Sequence, residues 1–342
     1  MPSNARSLCA SPEPTKPVTP PPSSPMHPST PLYIPTSSLS LHPHPRETPP
    51  RRPVLSVVVT GGSTGIGEAI VTLFAEAGHR VLFTYLTRRG NAERLQSRYP
   101  HVTATQLDQA QVSSVASFSR TVDDWAGAAG VHILVNNAAL GSATVRQYVH
   151  QKCQSPNFGK LATEQLPSSA VDMLMRAQND LALMRVNALG PLWVTDALSD
   201  SIRRAADVSG RATIVFIGSV GGGSAAVFPE YCAADLMSKA ALTYFSKHLA
   251  AQHVRDNIDV MCISPGATET EMFRQSTLAT IPDVPAFVDS MPKRRLIQPH
   301  EIAKSVFWLS VESPQGVFHG SVLDASMGLA VRPGLQTEND AR

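Results

Sequence analysis

The sequence predicts a single doubly wound α/β domain, built on a parallel seven-stranded sheet with helices on both faces. Two observations carry this. From residue 54 onward, short β-branched runs alternate with amphipathic helical stretches, the signature of a parallel sheet covered on both sides. The 342-residue chain has length for two domains, but its first 53 residues hold sixteen of the 28 prolines, with Glu13 and Glu47 as the only acids. Such a Pro/Ser-rich segment buries too little apolar surface to offset its conformational entropy, so residues 1–53 are expected to be a disordered tail. The core-forming stretch is then 54–330, with a short tail at 331–342.

The strands are expected at residues 55–59, 80–84, 103–107, 133–135, 213–217, 258–263 and 321–323. Between the first two, Ile66, Ile70, Leu73, Phe74 and Ala77 recur at helical spacing, and Gly78 is a suitable stop. "RLIQPHEIAKSVFWL", residues 295–309, reads as the last helix, with Pro299 in its first turn.

Composition excludes several classes. The start lacks the apolar core of a secretory signal, and no run of about 18 apolar residues exists to cross a membrane; a Ser-rich, acid-poor, Arg-containing start leaves organellar targeting as an alternative to an inert tail, although Pro at this density fits an amphipathic presequence badly. A net charge of +2 without a basic cluster among aromatics argues against nucleic acid. Cys9, Cys153, Cys232 and Cys262 form neither a CxxC pair nor a metal spacing, so free thiols in a reducing, cytoplasmic setting and no metal are expected.

"VVVTGGSTGIGEAI", residues 57–70, is a strand, a Gly-rich turn and a helix start in that order. Glycines let the backbone approach a diphosphate, and the helix N-terminus offers unpaired N–H groups and a positive dipole end. Gly61, Gly65 and Gly67 fit those roles, with Ser63, Thr64 and Ile66 beside them in the same site. The spacing T-G-x-x-x-G-x-G resembles the short-chain dehydrogenase/reductase family, and the resemblance runs from about Val54 to Gly328. It implies a Rossmann-type fold and a nicotinamide dinucleotide. It also implies an adenine contact from Asp108, closing "TQLD", and a match of "NNAA", beginning at Asn136, to the motif after strand four.

At the end of strand two, an NAD enzyme places Asp or Glu on the ribose hydroxyls. Here "LFTYLTRRG" puts Tyr85 in that place and Arg88 and Arg89 just beyond. Arginine can fork onto phosphate oxygens, which favours NADP over NAD. Thr64 departs from the basic residue that many NADP members carry before the second glycine of the motif.

Carbonyl reduction needs a donor to the developing oxyanion, a proton source, and a group that activates that source. In the family these are Ser, Tyr and Lys. By resemblance Ser219 polarises the substrate oxygen, Lys239 holds the ribose and biases the acid, and Asn187 supports Lys239. "SPGATET" brings Pro265, Gly266 and Thr268 to the nicotinamide.

The acid is the irregular member. In "PEYCAADLMSKAAL" the family's tyrosine should precede Lys239 by four residues, yet Asp235 stands there and the tyrosine is Tyr231. At a separation of four, a helix puts two side chains about 6 Å apart along its axis and about 40° around it; at eight, about 12 Å and about 80°. In one reading Tyr231 remains the acid, with an extra turn or bulge before Lys239. In the other, Asp235 and Lys239 form an ordinary helical ion pair and the usual route to carbonyl reduction fails.

From Asn136 to Asn187 is 51 residues, roughly twice the family's interval, so an inserted loop is expected around 140–168, as a lid or a surface excursion. Residues 269–292 should form the second substrate wall. Met272, Phe273, Leu278, Ile281, Phe287 and Met291 there fit either an apolar ligand or a self-packed helical pair.

The leading reading is an NADP-dependent oxidoreductase acting on a carbonyl or alcohol of a small or medium apolar metabolite. An enoyl-type C=C reductase and a dinucleotide-binding module without turnover are the alternatives. The resemblance also implies a homodimer or homotetramer built on the helices around Asn187 and Lys239.

Overall fold

A computed structural model of the chain describes residues 53–153, 167–224 and 232–331. The expectations for the Pro-rich tail, the second half of the insertion, Tyr231 and the C-terminal tail fall on residues outside these.

The sheet has seven parallel strands in the order β3-β2-β1-β4-β5-β6-β7. They are β1 (Ser56–Val59), β2 (Arg80–Tyr85), β3 (Val102–Gln106), β4 (Ile133–Asn136), β5 (Ala212–Ile217), β6 (Ile258–Pro265) and β7 (Val322–Ala325). All seven expected strands exist, with ends displaced by at most two residues. Central strands covered on both faces favour apolar residues along their length, as in the three successive valines of β1, Ser-Val-Val-Val with all four residues buried.

Alternation divides those residues between two cores. Val58, Leu82, Leu134 and Phe216 pack against α3 (Val112–Ala126), α6 (Gly190–Ser209) and α7 (Ala233–Gln252). Val57, Val59, Ile133 and Val215 face α1 (Gly65–Glu76), α2 (Arg89–Arg98) and α10 (Pro299–Phe307). Ile70 and Phe74 of α1 are fully buried, and Gly78 takes the left-handed conformation just beyond its C-cap. The strand order reverses between β1 and β4, and the crevice at such a switch point is where doubly wound sheets bind ligands.

The insertion corrects one expectation. Its first half is a helix, α4 (Thr144–Cys153), rather than a loop. Val145, Tyr148 and Val149 are its buried side, a three-residue apolar signal hidden among polar neighbours. The Pro and Gly residues that suggest a loop come after it. A further helix, α5 (Ser168–Met184), leads into a π-helical turn at Arg185–Leu189 that joins it to α6. Among the described residues no helix is long and apolar enough to cross a membrane.

Helix α10 opens with a capping box between Gln298 and Glu301. The Arg295 guanidinium and the Gln298 amide hold the Glu301 carboxyl down to about 2. A depressed carboxylate stabilises the fold above its ordinary value and loses that contribution as pH falls toward its folded value. Glu301→Gln is therefore expected to cost under about 1 kcal/mol at pH 7, since the pair is partly exposed. Urea titrations at several pH values should show the difference vanishing by about pH 2.

Candidate active site

A cleft of about 640 Å³ lies along the C-terminal strand ends, lined at one end by Arg88 and Asp108, in the middle by the Gly-rich turn, and at the other end by Ser219, Asp235 and Lys239. Its size is that of a small-molecule or cofactor site.

The turn is assembled by strand-end side chains. Thr84 of β2 accepts from the Gly61 amide at 3.0 Å, and the Thr60 hydroxyl accepts from the amides of Asn137 and Ala138, each at 3.0 Å. The Asn137 side chain donates to the carbonyls of Thr60 and Gly61 at 3.0 and 3.1 Å. Gly61 has φ +66°, a conformation other residues rarely adopt. A Cβ on Gly67 would sit 2.2 Å from the Gly61 carbonyl oxygen, so glycine alone lets α1 approach the turn. Thr64 at the α1 N-cap makes no side-chain capping bond, which leaves the first amides of the helix for a ligand. These features fit a dinucleotide diphosphate, as do Gly61, Ser63, Thr64, Gly65 and Ile66 along the cleft wall.

At the far end, Gly221 and Gly222 explain how Ser219 reaches the lysine. Added Cβ atoms there would meet the Leu236 side chain at 2.6 Å and the Lys239 carbonyl oxygen at 2.7 Å. The turn after β5 therefore packs directly on α7, placing Ser219 and Lys239 on the same wall. The Ser219 hydroxyl accepts from the Gly221 amide at 3.2 Å.

Helix α7 runs unbroken from Ala233, with Cys232 as its N-cap. Asp235 and Lys239 are thus one turn apart, and of the extra turn or bulge considered before Lys239 the described residues show regular helix from Ala233 onward. Asp235 is buried, and its carboxylate accepts from the Asn187 side chain at 3.3 Å. Burial pushes the Asp235 carboxyl up, against the opposing pull of Lys239 and the Asn187 hydrogen bond. Burial lowers the Lys239 ammonium, partly offset by Asp235 and by Cys262 behind it.

Asn187 lies in the π-helical turn, where the widened backbone aims its amide inward. It donates to the Leu140 carbonyl at 2.9 Å and to Ser238 Oγ at 3.1 Å, and accepts from the Leu140 amide at 2.8 Å. It braces the loop after β4 against α7 through Asp235 and Ser238. Asn187→Ala is expected to destabilise the fold by about 1–3 kcal/mol in urea unfolding, because buried partners lose their hydrogen bonds.

Three expected cofactor contacts are placed differently. Asn136 is buried in β4 and donates to Thr195 at 3.0 Å, away from the cleft. Strand alternation turns it inward and leaves Asn137 to hold the Gly-rich turn. Arg89 starts α2 and pairs with Glu93 at 2.8 Å on the solvent side, so only Arg88 of the arginine pair lines the cleft. Asp108 does line it, but its carboxylate is engaged by Lys152 at 2.5 Å and Tyr148 at 3.2 Å, both from α4. Burial, reinforced by the Asp108 charge, pushes the Tyr148 phenol far up.

Pro265, Gly266 and Thr268 line the cleft. Thr270 does too: it N-caps α8 (Glu271–Ser276), and a Cβ on Gly65 would lie 3.2 Å from its methyl group. Its position before a polar helix start was the available signal. Of the expected substrate wall, Met272 and Phe273 line the cleft. Phe287 and Met291 form a separate core with Ala267 and Leu296, against which Leu278 and Ile281 pack, and that resolves these four as a self-packed cluster.

Residues 56–280 match the family model described as short chain dehydrogenase. The chain is 27% identical over 253 residues to Protein FixR of Bradyrhizobium diazoefficiens, covering 74% of this chain and 79% of that protein. It is 28% identical over 280 residues to the 3-oxoacyl-[acyl-carrier-protein] reductase FabG of Vibrio harveyi, covering 80% and 96%. Among solved structures, the Pseudomonas aeruginosa RhlG/NADP active-site complex superposes with a TM-score of 0.64 at 28% identity, over 81% of this chain and 96% of that one. With the matched region spanning most of the sheet, the phosphate turn and the Ser219–Lys239 wall, the chain belongs to the short-chain dehydrogenase/reductase family and is an NAD(P)-dependent oxidoreductase.

Proposed function

We propose that the chain is an NADP-dependent reductase of a carbonyl group on a small or medium apolar metabolite, in which Asp235 holds the proton that a phenol holds elsewhere in the family. One observation carries the reading: Ser219, Asp235 and Lys239 converge on the same cleft as the Gly-rich turn. The residues that would hold the cofactor are Gly61 to Ile66, Arg88, Lys239 and the stretch from Pro265 to Thr270. When bound, the cofactor supplies the hydride.

Ser219 donates its hydroxyl hydrogen to the substrate oxygen as charge builds there. Asp235, whose carboxyl burial pushes up from its ordinary value, gives up its proton to that oxygen. A carboxyl reaches less far from its helix than a phenol, so a bridging water or a more deeply seated substrate completes the distance. Lys239 holds the ribose and stabilises the Asp235 carboxylate left behind, while Asn187 fixes the orientation of that carboxylate. Met272 and Phe273 give the substrate end an apolar wall.

The NADP preference is supported by Arg88 on the cleft and by Tyr85 where an NAD enzyme carries an acid. An oligomer is supported by exposed Met173 and Leu181 on α5 and Met237 and Tyr244 on α7, the helices flanking the site. The test is NADPH and NADH binding by fluorescence, followed by NADPH oxidation against ketones, aldehydes and enones. Ketone turnover supports the reading. Turnover confined to enones would replace it with C=C reduction, and tighter binding of NADH would overturn the NADP preference.

A further inference from the structure

Among the described cleft-lining residues the cations are Arg88 and Lys239, at opposite ends. Lys239 belongs to the reacting end, so Arg88 is the group able to meet a 2′-phosphate. Its guanidinium is already engaged: across the mouth of the cleft it pairs with Glu271, the first residue of α8. Gln275 donates to the same Glu271 oxygen at 3.0 Å and holds it toward the arginine. Both members of the pair are about half exposed, with side-chain exposures of 53% and 46%, and Glu271 and Gln275 also line the cleft.

We propose that Glu271 is a specificity-determining residue, a built-in competitor that occupies Arg88 and lowers the affinity of the site for a 2′-phosphorylated adenosine. The inference rests on the NADP reading above and deepens it. The physical basis is charge. A phosphate must either displace Glu271 from the guanidinium or share the guanidinium with a nearby like charge, and both lower its affinity. A 2′-hydroxyl carries no charge and meets neither penalty. The same exchange also reaches the substrate end. Glu271 is followed directly by Met272 and Phe273, so an arginine that leaves it for phosphate frees the start of the helix carrying that wall.

An exposed ion pair is worth under about 1 kcal/mol, so its removal should change affinity by about two- to fivefold. Glu271→Gln is expected to tighten NADPH and adenosine 2′,5′-bisphosphate by that factor and to leave NADH and adenosine 5′-monophosphate unchanged. Raising the salt should shrink the gain, because screening weakens exposed charges. Arg88→Gln should weaken the two 2′-phosphorylated ligands alone, and in that background Glu271→Gln should have no further effect.

Calorimetric titration of the full chain with these four ligands, for wild type, both single variants and the double variant, separates the outcomes. If Arg88→Gln weakens NADPH selectively but Glu271→Gln leaves it unchanged or weakens it, the competitor role is overturned while the NADP reading stands. If Arg88→Gln affects none of the ligands, Arg88 is not the phosphate contact and the competitor role is overturned; tighter binding of NADH than of NADPH by the wild type would overturn the NADP reading as well. The adenosine bisphosphate arm stays informative if a variant perturbs the nicotinamide end, since that ligand does not reach it.

Discussion

Asp235→Asn is expected to lower kcat for carbonyl reduction by about two to four orders of magnitude, the usual contribution of a positioned acid, while NADPH affinity stays within a few-fold of wild type. Asparagine keeps the shape, and its carbonyl oxygen still accepts from Asn187, so the fold around the side chain is preserved. What it loses is a dissociable proton one helical turn from Lys239. The wild-type rate should fall as pH rises through the Asp235 value, because the acid must be protonated to act. That value lies above the ordinary carboxylate range, since burial outweighs the opposing pull of Lys239. The Asn variant should lack this limb. Tyr231→Phe is the decisive comparison: full activity in Tyr231→Phe and loss in Asp235→Asn assign the proton to Asp235, and the reverse pair of results returns it to the displaced tyrosine.

Gly67→Ala should weaken NADPH binding on the order of 100-fold, as a displacement of about 1 Å can where groups must be positioned. The added Cβ would stand 2.2 Å from the Gly61 carbonyl oxygen and 2.5 Å from the Asn137 amide nitrogen. The first of these is backbone in a turn already tied to Thr84 and Asn137, so the turn cannot yield as a side chain would. The start of α1 must back away, and Ile70 and Phe74 pin that helix to the core on its other side. A stability cost of about 1–3 kcal/mol should accompany the loss, as for other overpacked sites. Gly90→Ala is the matched comparison, because nothing lies within 4 Å of its added Cβ. Equal effects from the two substitutions in thermal unfolding and NADPH titration would show that the close approach at Gly67 is unimportant.

The Gly-rich turn was legible because its requirements are local. A strand, a glycine spacing and a helix start lie within fourteen residues, and Gly61 and Gly67 each answer to a backbone neighbour close in sequence or across one strand. The seven strands were legible for a related reason, since burial on both faces leaves continuous apolar runs such as Val57–Val59. Helix α4 was not: Val145, Tyr148 and Val149 supply less than two turns of apolar period, and what makes them a helix face is the core they enter with Leu183 and Val186. The arginine pair shows the same limit. Both residues follow strand two, but Arg89 is turned to Glu93 by the start of α2 while Arg88 meets Glu271, 183 residues away.

By itself, then, the sequence determined the doubly wound fold, the Gly-rich turn between β1 and α1 and the order Asn187, Ser219, Lys239 along the chain, because these depend on periodicity and on short motifs. The tertiary structure decided which Asn of the pair meets the turn, which residues of 269–292 line the cleft, and that Asp235 stands one turn before Lys239 on an unbroken helix, buried and held by Asn187. Those are questions of side-chain direction and of contacts between distant segments. Packing settles them, since a buried polar group takes whatever partner the fold brings within reach.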